Sequence, residues 1–248
     1  MLAKIQPYFR YYFNKVSNTV SDLTRDRKSK PDDEYNWATY TSEYSRQLKE
    51  EVDKNAQFFL KDFEIKDGEV IFRDPNFHPN FKTLYDLAFS LKVNSIFECG
   101  CGGGYHLKNL RTLLPDAKIS GCDLLQTQID FAKGFSGLEP EIQDSLRAMS
   151  MIEEPLKYDV GKWEFVYSQA VIMHLSRENA KAFLRNMGRL SSKYIAFTEG
   201  KNNHADFKQM VQDTLPDWEV TAADKYIPDC EGLPASARPT CAFLLTKK

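Results

Sequence analysis

The sequence predicts an α/β fold: a mostly parallel seven-stranded sheet with helices on both faces, preceded by an N-terminal helical cap. Three observations lead there. From Asn94 onward, short apolar runs alternate with amphipathic stretches, the pattern of strand-helix-strand units in a parallel sheet. The first run ends in a glycine-rich turn that opens a helix, an arrangement found at ligand-binding strand ends. The 248 residues, 42% hydrophobic with Phe 17, Tyr 12 and Trp 3, supply enough apolar surface for a core on both sides of a sheet.

Taken in order, the chain opens with a dense aromatic piece (Tyr8, Phe9, Tyr11, Tyr12, Phe13) and a mixed-charge, linker-like stretch from Asp22 to Glu34. Such an aromatic piece covers a domain's own apolar surface or lies on a membrane surface. Tyr35 to Phe63 reads as helix, because Tyr44, Leu48, Val52, Phe59 and Leu60 recur near a 3.6-residue period. Glu64 to Asp74 reads as a hairpin turning at Asp67-Gly68. A second amphipathic helix runs from Asn80 to Leu91, and these features divide the chain into a cap over 1–79 and a main domain over 80–248. The strands expected in the main domain are Ser95 to Glu98, Lys118 to Cys122, a weak one at Glu141 to Ile142, Glu164 to Tyr167, Tyr194 to Thr198, Trp218 to Ala222 and Thr240 to Thr246. Helices fill the gaps at Tyr105 to Leu114, Leu125 to Phe135, Arg177 to Leu190 and Ala205 to Thr214, and the last two strands form a hairpin with a long loop.

Composition narrows the function. Lys and Arg number 33 against 35 Asp and Glu, a net charge of -2, so no global field attracts nucleic acid or anionic lipid. No apolar run reaches the roughly 20 residues of a membrane helix, and no secretory signal opens the chain, which reads as cytoplasmic. The five cysteines form no CxxC pair and read as reduced, mostly buried thiols; no metal-ligand spacing stands out.

The segment Ser95-Ile96-Phe97-Glu98-Cys99-Gly100-Cys101-Gly102-Gly103-Gly104 carries the most chemistry. Residues without Cβ let backbone approach a ligand and adopt positive φ. A second strand ends in Cys122-Asp123 about 20 residues on, where an acid takes both hydroxyls of a ribose. Strand, glycine turn, helix and acid together indicate a nucleoside cofactor. The dinucleotide fingerprint needs Gly or Ala where Tyr105 stands, which disfavours a nicotinamide dehydrogenase, and no Gly-Lys-Ser or Gly-Lys-Thr makes a P-loop.

Glu98-x-Gly100-x-Gly102-x-Gly104 resembles the first motif of class I S-adenosylmethionine (SAM)-dependent methyltransferases, which have a Rossmann-like fold. The resemblance covers roughly Phe81 to Thr198. It implies that Glu98 helps to fix the amino group of the methionine part, that Gly100, Cys101, Gly102 and Gly104 pass beneath it, and that Asp123, with Leu124 beside it, holds the ribose. It implies further that Asp144-Ser145 follow the third strand and hold the adenine; read by itself, Asp144 is equally a helix cap. Glu164 to Leu175 resembles the family's segment after the fourth strand, where Ser168 and Gln169 face the cofactor and His174 follows in a short helix. The Asn- or Asp-Pro-Pro-aromatic motif of many nucleic-acid amino methylases is absent, so a flipped base is not the expected substrate. Trp37 to Tyr44 resembles the aromatic helix that covers the cofactor in small-molecule members, with Tyr40 and Tyr44 on one helix face.

Methyl transfer from a sulfonium is mainly a matter of positioning, worth roughly 7 to 11 kcal/mol, with proton removal secondary. His174 is the first candidate base and also fits a structural role; His204, in the loop after the fifth strand, is the second. Neither His106 nor His78 has a partner visible in the sequence. The expected reaction moves a methyl from SAM to an oxygen or nitrogen of a small-molecule or saccharide-type acceptor, with no nucleic-acid partner. The alternatives are a non-catalytic SAM-binding partner protein and an NAD-dependent dehydrogenase.

Overall fold

The computed structural model describes residues 63–66, 69–72, 79–135, 137–199, 206–222 and 241–248. Phe63, the last residue of the expected helix over 35–63, opens a strand instead; the rest of that helix, with Tyr40, and the loop that holds His204 lie outside the described residues.

Strands β1 (Phe63–Lys66) and β2 (Glu69–Phe72) pair antiparallel, with Ile65 opposite Val70, as a separate two-stranded sheet where the hairpin is expected. Helix α1 (Pro79–Leu91) follows and buries Leu84, Tyr85, Leu87 and Ala88. The main domain then alternates as the sequence predicts: β3 (Ser95–Cys99), α2 (Tyr105–Leu113), β4 (Lys118–Asp123), α3 (Gln126–Phe135), α4 (Pro140–Ser145), β5 (Arg147–Ala148), β6 (Trp163–Gln169), α5 (Arg177–Leu190), β7 (Ser191–Glu199), α6 (Phe207–Thr214), β8 (Trp218–Ala222) and β9 (Cys241–Lys247).

One expectation is corrected. Glu141 and Ile142 lie inside α4, not in a strand, and the third parallel strand is the two-residue β5 that follows. The helix starts after Glu139 with Pro140 in its first turn, a position where the missing N–H costs nothing.

The seven-stranded sheet runs β5-β4-β3-β6-β7-β9-β8. Neighbours from β5 to β7 are parallel, while β9 pairs antiparallel with both β7 and β8. From β3 the chain first adds strands on one side and later crosses to β6 on the other. Carboxyl ends of strands at such a reversal open a crevice between the departing loops.

Alternation along each strand sorts side chains to two faces. Ile96, Phe165, Tyr167, Ala196 and Leu244 pack with α1, α2, α3 and α4. Phe97, Cys99, Val166, Ile195, Phe197 and Leu245 pack with Phe183, Leu184 and Met187 of α5 and Met210 and Val211 of α6. Each such fully buried aliphatic or aromatic side chain contributes roughly 1.5–3 kcal/mol. The face a residue occupies decides its neighbours at the crevice.

Candidate functional site

The register brings the candidate residues to one edge. Cys99 pairs with Cys122, Glu98 with Tyr167, and Gln169 with Thr198, so the carboxyl ends of β3, β4, β6 and β7 lie side by side. The turn leaving β3 has positive φ at Gly100 (83°), Gly102 (48°) and Gly104 (78°). A Cβ at Gly100 would run into Val171 Cγ2, so glycine is required there by space as well as by conformation.

The turn's amides are directed inward. Gly100 N and Cys101 N both donate to Cys122 O at 2.8 Å, and Gly102 N donates to Asp123 Oδ2 at 2.9 Å. Asp123 Oδ1 accepts from Leu125 N at 3.0 Å. Three amides engaged in this way do not offer a phosphate cradle, which argues against a pyrophosphate in the turn. A carboxylate has about four lone-pair sites, so Asp123, with its backbone donors in place, keeps capacity for hydroxyls. Burial pushes the Asp123 carboxyl up, while the backbone N–H groups of Leu125, Gly102 and Leu124 hold it down. Leu124 beside it is 53% exposed, an apolar surface next to an acid.

Glu98 is buried, and its Oε2 has no hydrogen-bond partner of acceptable geometry. Burial pushes its carboxyl up to about 8; the adjacent Tyr167 hydroxyl opposes this and the Asp123 carboxylate adds to it. A buried acid with an orphaned oxygen is costly unless a donor or cation completes it. An ammonium group at Glu98, two hydroxyls at Asp123 and a flat apolar ring at Leu124 together suit the cofactor that the motif resemblance implies.

Cys101 is buried and packs against Gly121, so its thiol faces the sheet and only its backbone is available to a ligand. Ser168 is on the opposite face from Glu98, where its Oγ donates to Glu199 Oε1 at 3.2 Å. Glu199 Oε2 accepts from Met173 N at 3.2 Å. Burial pushes Glu199 up to about 7, against the N–H groups of Met173, Ile172 and Val171 and the Ser168 hydroxyl, which favour its charged form. Glu199 thus anchors the 3-10 turn Ile172–His174 and, through Val171, the contact with Gly100. Burial lowers the His174 pKa, which keeps the imidazole neutral at neutral pH.

Asp144 and Ser145 do not join this group. Both precede β5 rather than follow it, in the last turn of α4, and Ser145 Oγ donates to Ile142 O at 2.7 Å. Ser145 O accepts from Ser120 Oγ at 3.0 Å, three residues short of Asp123 on β4. The chain reaches Asp123 at the end of β5, where Ala148 pairs with it and Met149 N, the next residue, donates to Asp123 O at 2.8 Å. Glu199 is the residue that sequence reasoning missed. An acid closing the apolar run of β7 was the available signal for Glu199. Among the described residues, no group of three His, Cys, Asp or Glu is placed to hold a metal, and no helix is long and apolar enough to cross a membrane.

Residues 96–193 match the family model described as a methyltransferase domain. No curated protein sequence matches the chain. Among solved structures, the chain is similar to two forms of the methyltransferase domain of bacterial CtHen1. One is 16% identical over 69% of this chain and 98% of that one, with a TM-score of 0.54. The other is 13% identical over 70% and 100%, with a TM-score of 0.53. It is also similar to the plantazolicin methyltransferase BpumL in complex with a monoazolic desmethylPZN analog and SAH, at 13% identity over 84% of this chain and 92% of that one, TM-score 0.51. At these identities the likeness is one of fold.

Proposed function

From the premise that this chain contains a class I SAM-dependent methyltransferase domain, we propose that it moves the cofactor's methyl group to an oxygen or nitrogen of a small-molecule or saccharide-type acceptor. The observation that carries the reading is the buried Glu98 carboxylate with its unpartnered Oε2, one strand from the half-engaged Asp123. SAM supplies an electrophilic sulfonium methyl, and the remaining work is positioning. Glu98 takes the ammonium of the methionine part, Asp123 takes the ribose hydroxyls, and Leu124 lies against the adenine. Gly100, Cys101, Gly102 and Gly104 form the floor of the site, Gln169 completes its wall at the end of β6, and Ser168 supports that strand end from the opposite face through Glu199. Asp144 and Ser145 are left out of this site.

His174, half-buried and kept neutral by partial desolvation, removes the acceptor's proton as transfer proceeds. This reading also assigns His204 as a second base, Tyr40 to the cofactor, and residues 1–79 to a helical cap with a short hairpin. Several features support a small acceptor: a net charge of -2, the missing base-flipping motif and a site built from buried acids.

The test is titration calorimetry with S-adenosylhomocysteine and, separately, NADH, followed by an acceptor screen across sugars, phenols and amines. Binding of the homocysteine compound alone is expected; binding of NADH alone would overturn the cofactor assignment. Intact cofactor binding with no acceptor after a broad screen would favour a non-catalytic partner protein. His174→Ala is expected to lower turnover by about 10²- to 10⁴-fold with cofactor affinity nearly unchanged. An equal loss of cofactor affinity would make His174 structural.

A further inference from the structure

Beside Glu98, a chain of polar side chains links two helices to the end of β6. Asn109 Nδ2 donates to the Tyr85 hydroxyl at 2.8 Å, and that hydroxyl meets His106 Nδ1 at 2.9 Å. His106 Nε2 in turn meets Gln169 Oε1 at 3.3 Å. Tyr85 is fully buried, and Phe81 packs edge-on against the imidazole with ring centroids 4.6 Å apart. Two helices therefore hold the ring in place.

Donor counting assigns the direction of the chain. The Tyr85 oxygen already accepts from Asn109, and its single proton goes to His106 Nδ1. His106 is then the neutral tautomer with its proton on Nε2, and that proton goes to Gln169 Oε1. An amide gripped by its carbonyl oxygen presents its N–H₂ group. Gln169 is half-buried, at the carboxyl end of β6.

Its position relative to Glu98 gives that donor a purpose. Glu98 pairs with Tyr167, and Gln169 lies two residues further along the same face, about 7 Å at the usual strand rise. A carboxylate on β3 and amide donors two residues further along the same face of the neighbouring strand β6 complement the ammonium and carboxylate of an α-amino acid. Because His106 Nε2 already serves Gln169, the ring is not placed to act as a base on the acceptor.

We propose that Gln169 binds the α-carboxylate of the cofactor's methionine part, and that His106, set by Tyr85 and Asn109, is the positioning residue that keeps the Gln169 amide turned donor-outward. This rests on the SAM reading above and deepens it: the site selects nucleosides that carry an intact amino acid, not merely the adenosine and sulfonium.

Equilibrium binding tests it without turnover. SAM and decarboxylated SAM differ only in that carboxylate, and 5′-methylthioadenosine lacks the amino-acid part altogether. The wild-type chain is expected to prefer SAM over the decarboxylated compound by about tenfold or more, the range for a hydrogen bond to a charged group. Gln169→Ala should bring that preference near unity and leave 5′-methylthioadenosine binding unchanged. Gln169→Glu should reverse it by repulsion. His106→Phe, which keeps ring volume but loses the Nε2 donor, should shrink the preference at least threefold, whereas a merely structural ring would weaken all three ligands together. Equal wild-type affinity for SAM and decarboxylated SAM, or a full preference kept by Gln169→Ala, would overturn the proposal. Loss of preference in Gln169→Ala with none in His106→Phe would overturn the positioning role. Binding of none of the three nucleosides by the wild-type chain would bring down the SAM reading itself.

Discussion

Glu98 and Asp123 sit on neighbouring strands and do different work. Asp123 has both oxygens held by backbone donors, and in the proposed site it accepts from two hydroxyls. Asp123→Ala is expected to weaken SAM binding at least tenfold, consistent with roughly 1.5–3 kcal/mol for a hydrogen bond to a charged group. Unchanged affinity in a folded variant, measured by calorimetry, would sink the assignment. Glu98 keeps its proton up to about pH 8 in the free protein, because burial opposes its charge. An ammonium partner needs the carboxylate, so SAM affinity should rise as pH is raised from 6 toward 8, with a proton released on binding that appears as a buffer-dependent heat. The same shift has the opposite sign for stability. The folded chain holds this proton between the ordinary 4.5 and about 8, where the unfolded chain has lost it, so the group costs more stability as pH rises through that window. Glu98→Gln should therefore gain in Tm relative to wild type between pH 5 and pH 8, and a flat difference would show that Glu98 does not titrate there. Both acids were legible because each ends an apolar run next to glycine or cysteine. The partners that define the site were not: Ser168 and Glu199 are 31 residues apart and His106 and Gln169 are 63, separations that only the folded sheet closes.

The elements that were legible carry strong local signals. Helix α5 was read with the same limits that it shows, because Ser176 accepts from Asn179 N at its start and Phe183, Leu184 and Met187 fall at helical spacing. Glu141 and Ile142 of helix α4 were read as a weak strand because six residues do not complete two turns, so the apolar Ile142 shows no period. Strand β5, at two residues, has no sequence pattern at all, and the misplacement of Asp144 and Ser145 followed from it. The turn between β3 and α2 was legible from its glycines, but its tight fit against the turn after β6 was not. That fit can be measured. Gly100→Ala should destabilise by about 1–2 kcal/mol for the positive φ, plus roughly 1–3 kcal/mol for the contact with Val171. The double variant with Val171→Ala should recover the contact part but not the conformational part, as read from denaturant midpoints. No recovery would place the clash elsewhere.

For the molecule as a whole, the sequence conveyed the alternation of strands and helices but not the order of the strands, because order depends on which crossovers bury which faces. The pairing of the last two strands was expected; the insertion of β9 between β7 and β8 was not. Helices α5 and α6 share a core with Ile195, Phe197 and Leu245, so β9 joins the outer strand and α6 to the rest of the sheet. Removing residues 241–248 should therefore abolish the single cooperative unfolding transition rather than trim an edge, as scanning calorimetry would show. A shortened chain that still unfolds in one step near the wild-type temperature would contradict this. The same placement matters while the chain is being made. Strand β7 leaves the ribosome well before the strand that completes it, and at about 5 to 20 residues per second the wait lasts several seconds. During that wait β7 exposes an apolar, unpaired edge, which is a template for pairing with another nascent chain. Synthesis that stalls short of β9 thus yields a chain with most of the proposed cofactor site but an open sheet, a product for proteases and chaperones rather than for catalysis.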